Sequence, residues 1–145
     1  MVEKVKVSCP ACGATNNYPL DALGKNVVCG RCRTPLPKPG IVINPSPNQT
    51  YTLIERASLP VLIDFFSPTC APCQIMHPIV DKLAERRAGE LMVLRIDVSL
   101  HAELGASFGV QGVPTFVILH KGYERARTSG GMSETDFSLW VASLV

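Results

Sequence analysis

The sequence predicts an α/β domain built on a mixed β-sheet, preceded by a small module that holds four of the chain's six cysteines. Two observations carry this prediction. Apolar runs of strand length alternate with helical patterns along the C-terminal part of the chain, which is the arrangement of α/β folds. All six cysteines fall in Cys-x-x-Cys pairs, and a proline-rich segment separates the first two pairs from the third.

The composition is that of a folded protein of ordinary domain size. The chain has 145 residues, of which 46% are hydrophobic and 18% charged, and its formal net charge is +2. So small a charge disfavours nucleic acid as the main partner. No apolar run approaches the roughly 20 residues that span a bilayer, and the charged start Met1–Val7 has no apolar segment of signal-peptide length. We therefore expect a soluble cytoplasmic protein with no membrane partner.

Four cysteines near the N-terminus have the spacing of a zinc site. Cys9, Cys12, Cys29 and Cys32 form two Cys-x-x-Cys knuckles separated by 16 residues, within the spacer of about 15–20 residues typical of such sites. Each knuckle turns the chain so that two thiolates converge, and two knuckles supply the four sulfurs of a tetrahedral site. Because four protein thiolates leave no open position, we predict one structural Zn²⁺ per chain.

Two other interpretations of this module stay open. Six cysteines also suit a secreted scaffold with three disulfides, although such scaffolds rarely arrange every cysteine as a Cys-x-x-Cys pair. The first 40 residues carry six basic and two acidic residues, whereas residues 41–145 carry eight basic and ten acidic ones. That basic excess also suits a nucleic-acid ribbon, but Tyr18 is the only aromatic residue in the module and bases have little to stack on.

Prolines divide the chain into three parts. We predict a zinc-ribbon module at residues 1–38, a proline-rich linker with a first short strand at 39–47, and the α/β domain at 48–145. A module of 38 residues is too small to build a useful core without a metal.

Periodicity and turn residues predict the elements of the α/β domain in chain order. Apolar runs indicate buried strands, apolar residues at helical spacing indicate helices, and a polar triplet ending in glycine indicates a hairpin. The expected strands lie at residues 41–43, 61–66, 91–98, 113–119 and 123–128, and the turn His120–Gly122 joins the last two. The expected helices lie between a cap at Asn48 or Thr50 and residue 57, at 71–88, at 101–108, and between a cap at Ser133 and residue 144. In the helix at 71–88, Ile75, Ile79 and Leu83 have helical spacing.

The third cysteine pair, Cys70 and Cys73, lies where the predicted strand 61–66 leads into a helix. A cysteine at a helix N-terminus faces unpaired backbone N–H groups and the positive end of the helix dipole, and both favour its thiolate. Cys73 follows almost one helical turn later, close enough to form a disulfide with Cys70. The pattern favours a redox dithiol in which Cys70 attacks a disulfide and Cys73 resolves the intermediate. Half of a second metal site is the alternative.

The second part of the chain resembles the thioredoxin family. The matching residues are the strand Val61–Phe66, the Cys70–Cys73 motif, Pro78, the segment Arg95–Asp97 and the segment Gly112–Thr115. With the four-cysteine ribbon in front, the whole chain resembles the zinc-containing second thioredoxin of bacteria. The resemblance implies a thioredoxin fold, in which a central mixed β-sheet is flanked by helices.

The resemblance also implies roles for individual residues. Cys70 would be the attacking thiolate and Cys73 the resolving thiol. Asp64 matches the buried acid that assists proton removal from Cys73, and Pro114 matches the cis-proline that faces the dithiol. A charged residue inside a buried strand is costly without a partner or a task, so Asp64 also stands out without the family. His77 shares the helical face of the two cysteines, and we interpret it as a space-filling residue, with a proton relay as the alternative.

The predicted function is reduction of protein disulfides by the Cys70/Cys73 dithiol. Its clients would be disulfide-containing proteins, and a thioredoxin reductase or another dithiol donor would supply the electrons. Two alternatives stay open: a disulfide oxidase or isomerase on the same fold, and a zinc-ribbon adaptor that binds clients without turnover.

Overall fold

The computed structural model describes residues 4–145. Met1–Glu3, which begin both the predicted ribbon module and the charged N-terminal segment, lie outside the described residues. A two-stranded sheet, a five-stranded sheet and four α-helices make up the described part of the chain. The elements are β1 Lys4–Ser8, β2 Thr15–Pro19, a 3-10 helix Leu20–Ala22, β3 Val42–Ile43, α1 Pro47–Arg56, β4 Val61–Phe66, α2 Ala71–Arg86, β5 Met92–Asp97, α3 Ala102–Ser107, β6 Thr115–His120, β7 Tyr123–Ser129 and α4 Glu134–Ala142.

The larger sheet is mixed, as the sequence predicts. Its strand order is β3-β5-β4-β6-β7, with β3, β5 and β4 parallel and β6 and β7 antiparallel to their neighbours. The central strand β4 is buried on both faces, which explains its nearly continuous apolar run. Helices cover both faces, so the predicted fold class is confirmed.

Alternate residues of β4 enter two separate cores. Val61, Ile63 and Phe65 belong to a core that includes Leu53 of α1 and Leu104 of α3. On the opposite face, Leu62 packs with apolar residues of α2 and α4. Asp64 shares the face of Leu62, because side chains alternate along a strand. The acid therefore points to the side of the sheet that α2 covers.

The start of α1 differs from the prediction. Ser46 is its N-cap, and not Asn48 or Thr50, because Ser46 and Gln49 form a capping box and Pro47 occupies the first turn. Asn48 and Thr50 lie within the helix. By contrast, the predicted cap of α4 at Ser133 is confirmed, since its hydroxyl accepts a hydrogen bond from the Asp136 N–H.

The buried face of α2 is rotated from the predicted one. Its buried residues include Cys73, Met76, Val80 and Leu83, whereas Ile75 is 67% exposed. The spacing 73, 76, 80, 83 is a regular helical stripe, and Ile75 falls roughly 100° away from Met76 on the helix. Ile75 thus lies outside the core, two residues after Cys73.

The cysteine-rich module packs onto the larger domain. Tyr18, Leu20 and Leu23 are buried in the same core as Leu53 of α1. The loop after the 3-10 helix comes so close to residues 58–59 that a Cβ on Gly24 would overlap the Ser58 hydroxyl and the Leu59 side chain. Asp21 pairs with Arg56 at 3.4 Å at the edge of this contact. The module therefore shares a core with the domain it precedes.

Among the described residues, no helix is both long enough and apolar enough to cross a membrane.

Candidate functional site

The dithiol lies at the junction of β4 and α2. Cys70 is the N-cap of α2, where its Sγ accepts a hydrogen bond from the Cys73 N–H at 3.2 Å. Pro72 occupies the first turn, where the missing N–H breaks no helical bond. The two cysteines form a disulfide with their Cα atoms 5.2 Å apart. Cys70 is half-buried and Cys73 fully buried, so a partner molecule reaches Cys70 first.

The loop before β6 faces the dithiol from the other side. The peptide bond between Val113 and Pro114 is cis. The Val113 carbonyl oxygen lies 3.6 Å from Cys70 Sγ. Thr115, the first residue of β6, holds this loop through hydrogen bonds from its hydroxyl to the Gly112 carbonyl at 2.5 Å and with Ser129 at 3.1 Å. Pro114 therefore directly follows the residue whose carbonyl oxygen lies beside Cys70.

Asp64 lies on the face of the sheet that α2 covers. Arg95, its register partner on β5, donates from Nε to Asp64 Oδ2 at 3.3 Å. The same guanidinium donates from Nη2 to the carbonyl oxygen of His77 at 3.2 Å and to Asp81 Oδ1 at 3.1 Å. One cation therefore ties the buried acid to α2, four residues after Cys73.

Burial dominates the electrostatics of this acid. Its side chain is about 1% exposed, and burial raises the pKa of Asp64 to about 6, although Arg95 opposes the shift. Oδ1 of Asp64 makes no hydrogen bond among the described residues. A carboxyl with such a pKa exchanges protons near neutral pH, which is what a general base needs.

His77 lies on the α2 side of the same network. Its ring meets Phe66 edge to face, with ring centroids 4.9 Å apart. Nε2 of His77 is buried and has no partner among the described residues. Burial lowers the pKa of His77, and the nearby Arg95 cation lowers it further. Both effects favour the neutral ring, and the interpretation of His77 as a space-filling residue stays a prediction.

The four N-terminal cysteines converge on one point. Their Sγ atoms all lie within 4.8 Å of one another. Cys9 and Cys32 sulfurs are 3.6 Å apart, and those of Cys12 and Cys29 are 3.7 Å apart. A tetrahedral ion with bonds of about 2.3 Å to sulfur requires sulfur–sulfur distances of about 3.8 Å. The four thiols are therefore positioned to bind a metal ion.

Hydrogen bonds already favour a thiolate in the second knuckle. Backbone N–H groups of Cys32 and Arg31 and the side-chain amide of Asn16 lower the pKa of Cys29 to about 6. The hydroxyl of Thr34 lies 3.2 Å from Cys32 Sγ and lowers the pKa of that thiol. Thiolates are the form in which cysteines bind metal ions.

Comparison with known proteins gives the family. The thioredoxin family model matches residues 42–143. The chain belongs to the thioredoxin family. It is therefore a thiol–disulfide oxidoreductase, an enzyme of the thioredoxin type, and its Cys70–Cys73 disulfide fits the redox motif of that family.

Two relatives and one solved structure illustrate the likeness. Thioredoxin C-3 of Corynebacterium nephridii is 32% identical over 137 residues, which cover 93% of this chain and 92% of that protein. A thioredoxin of Haemophilus influenzae is 28% identical over 90 residues, covering 62% of this chain and 84% of the relative. The solved structure of a mutant thioredoxin from Halobacterium salinarum NRC-1 has a TM-score of 0.63 and 28% identity, covering 72% of this chain and 88% of that one. The first match is longer than the family region and so extends into the cysteine-rich module.

Two contacts at these sites are not predicted from the sequence. In the sequence, Arg95 is noted only as part of the match to the thioredoxin family, and nothing identifies it as the partner of Asp64. Asn16 is not singled out by any motif, although its amide touches both knuckles. Two sequence signals could have indicated these contacts. Asn16 is a polar residue between the two knuckles, and Arg95 is a cation inside an apolar strand.

Proposed function

We propose that this protein reduces disulfide bonds in client proteins through Cys70 and Cys73. The observation that carries the proposal is the asymmetry of the pair: a half-buried Cys70 at the N-terminus of α2 and a fully buried Cys73 one turn inside it. An accessible thiolate suits attack on a bulky partner, and a buried thiol suits the intramolecular second step.

The reaction proceeds in two exchanges. The Cys70 thiolate attacks one sulfur of the client disulfide, forms a mixed disulfide and releases the first client sulfur as a thiolate that takes up a proton. Cys73 then loses its proton, attacks Cys70 Sγ and releases the second client thiol. Two electrons pass from the dithiol to the client, and Cys70 and Cys73 become a disulfide. A thioredoxin reductase or another dithiol donor restores the reduced pair.

Asp64 and Pro114 serve different steps. Asp64 assists proton removal from Cys73, because Arg95 anchors the acid below α2 and its pKa of about 6 suits proton exchange near neutral pH. Pro114 helps to present the client backbone, since it follows the Val113 carbonyl that lies beside Cys70.

We further propose that Cys9, Cys12, Cys29 and Cys32 hold one Zn²⁺. The ion's role is structural, because four protein thiolates complete its tetrahedral coordination. Sulfur–sulfur distances of 3.6 and 3.7 Å suit Zn²⁺. The four thiols must stay reduced to bind it, which supports a reducing compartment such as the cytoplasm. The proposed division into ribbon, linker and thioredoxin domain follows residues 1–38, 39–47 and 48–145.

Exchange of each cysteine for serine tests the mechanism. We expect Cys70→Ser to abolish reduction of insulin disulfides, because no attacking sulfur remains. Cys73→Ser should accumulate a mixed disulfide with the client, visible as a thiol-sensitive band on non-reducing gels. Normal turnover of Cys73→Ser would contradict the assignment of roles.

Two further outcomes of these assays separate the alternatives. Equilibration with glutathione redox buffers gives the reduction potential of the pair, and a strongly oxidising value would favour a disulfide oxidase or isomerase. A parent chain that binds insulin without reducing it, in the presence of a dithiol donor, would favour an adaptor.

A further inference from the structure

The two knuckles of the cysteine-rich module have almost the same backbone. The Gly13 N–H donates to the Cys9 carbonyl at 3.0 Å, and the Arg33 N–H donates to the Cys29 carbonyl at 3.0 Å. In both knuckles the N–H two residues after the first cysteine lies 3.4 Å from that cysteine's sulfur. Gly13 and Arg33 both have left-handed backbones, with φ of 76° and 65°. A difference between the knuckles must therefore come from side chains.

Asn16 on β2 creates such a difference. Its Nδ2 donates to Cys29 Sγ at 3.5 Å and to the Ala14 carbonyl at 3.2 Å, and its Oδ1 accepts the Gly30 N–H at 3.0 Å. The residue that corresponds to Gly30 in the first knuckle is Pro10, which has no N–H. Asn16 thus connects the end of the first knuckle to the sulfur and backbone of the second.

We propose that Asn16 is a positioning residue of the metal centre, which holds the second knuckle against the first and orients the Cys29 sulfur toward the ion. The proposal rests on the Zn²⁺ site proposed above. A Zn²⁺ with four thiolates carries an excess of two negative charges, so an N–H donor to sulfur stabilises the loaded site. Groups behind metal ligands typically contribute roughly 10–100-fold to metal affinity.

The neighbouring residue provides a matched control. Asn17 lies on the same strand, but its side chain is exposed and makes no hydrogen bond among the described residues. Asn17→Ala therefore removes an amide from β2 without touching either knuckle. Asn16→Asp makes a second distinction, because it keeps an oxygen for the Gly30 N–H and replaces the donor to Cys29 by a negative charge.

Competition for Zn²⁺ with a chromophoric chelator, on the full chain, tests the proposal. We expect Asn16→Ala to lower the apparent affinity by roughly 10–100-fold, Asn16→Asp to lower it at least as much, and Asn17→Ala to leave it unchanged. Far-UV circular dichroism at saturating Zn²⁺ shows whether each variant folds. Reduction of insulin should be unchanged in all three, because none of them touches the dithiol.

The outcomes separate the role of Asn16 from the metal site itself. If the parent chain takes up no Zn²⁺, the proposed metal site is wrong. If the parent binds Zn²⁺ and Asn16→Ala binds it equally well, the site stands and the role of Asn16 is wrong. Parent-like affinity in Asn16→Asp would also overturn the proposal, and this variant decides the question if Asn16→Ala does not fold.

Discussion

At the scale of single residues, Asp64 and Arg95 show how a sheet can raise the pKa of a buried acid. The register of two parallel strands places the guanidinium beside the carboxyl, and Arg95 also reaches Asp81 and α2. Its charge is therefore divided among several acceptors. Burial outweighs this attraction, and the pKa of Asp64 lies at about 6, above its ordinary value of 3.8.

This raised pKa predicts a pH-dependent gain in stability on removing the acid. The folded state binds the Asp64 proton more tightly than the unfolded state, so stability falls as pH rises from about 4 through about 6. At pH 8 the ionised acid costs roughly 3 kcal/mol, at about 1.4 kcal/mol per pH unit. Asp64→Asn should therefore unfold at higher urea concentration than the parent at pH 8, and the advantage should vanish near pH 4.

Asp81→Asn is the matched control, because Asp81 binds the same guanidinium but is 54% exposed. It should change the urea midpoint little at either pH. In single-turnover assays, Asp64→Asn should slow release of the mixed disulfide more than its formation, by at most roughly 10²–10⁴-fold. Equal slowing of both steps would show that Asp64 is purely structural, and a stability gain that persists at pH 4 would contradict the raised pKa of Asp64.

The reactive and metal-binding cysteines are the feature of this protein that is most readily predicted from the sequence. Thiols that share a metal or a disulfide need fixed spacings, so the cysteine pairs are visible without a structure. The partners of these residues are less visible. Asp64 meets Arg95 across a strand pairing 31 residues apart, and Asn16 meets Cys29 across 13 residues. Such contacts depend on tertiary arrangement, which no local pattern encodes.

At the scale of elements, a sequence signal predicts the bounds of a helix or strand correctly when no second signal nearby competes with it. The strand β4 has the predicted bounds because Pro60 precedes its apolar run and Ser67 and Pro68 follow it. The predicted start of α1 is wrong because Ser46, Asn48 and Thr50 are all polar residues that favour caps, and the capping box with Gln49 selects Ser46. Ile75 is exposed because α2 packs on the sheet through a different face, the one that carries Cys73 and Met76. The elements around α2 determine which face is buried.

The contact between the ribbon loop and the residues before β4 predicts a position where one added methyl group must displace its neighbours. Gly24→Ala would place its Cβ against Ser58 Oγ, in overlap with it, and 2.9 Å from Leu59 Cδ2, so these two side chains or the loop must move. We expect a loss of roughly 1–3 kcal/mol in the free energy of unfolding, as for overpacked cores. Urea denaturation of the Zn²⁺-loaded chain measures it.

Gly30→Ala serves as the control in the same module. A Cβ there meets only Asn16 Oδ1, at an ordinary 3.8 Å, and we expect little change in the urea midpoint. If Gly24→Ala were as stable as Gly30→Ala, the loop would not be seated against residues 58–59, and the shared core between ribbon and domain would have to be reconsidered.

At the scale of the whole molecule, the ribbon and the dithiol occupy different parts of the structure. The ribbon packs near the C-terminal end of α1 and the residues before β4, whereas Cys70 follows the end of β4. About six residues of extended strand separate these ends, or roughly 20 Å. We therefore expect any effect of the ribbon on the dithiol to arise through the stability of the domain, because the ribbon contacts named above lie at the opposite end of β4 from Cys70.

This separation predicts the result of removing the metal. Chelation should unfold the ribbon, because metal binding and folding of such modules are one equilibrium. The five-stranded sheet and both helix layers should persist, and insulin reduction should continue. Stability should nonetheless fall, because Tyr18, Leu20 and Leu23 leave the core that they share with Leu53. Burying each such side chain contributes roughly 1.5–3 kcal/mol, of which residual contacts in the unfolded ribbon would retain a part.

Urea denaturation, far-UV circular dichroism and insulin reduction should be followed with and without chelator, and on Cys12→Ser as a metal-deficient chain that needs no chelator. We expect partial loss of the dichroism signal, a lower urea midpoint and retained reduction in both cases. Complete loss of secondary structure would contradict the proposed division at residues 38 and 47, since the thioredoxin domain would then depend on the ion. An unchanged midpoint would show that the ribbon adds nothing to the core, in which case the burial of Tyr18 does not stabilise the domain.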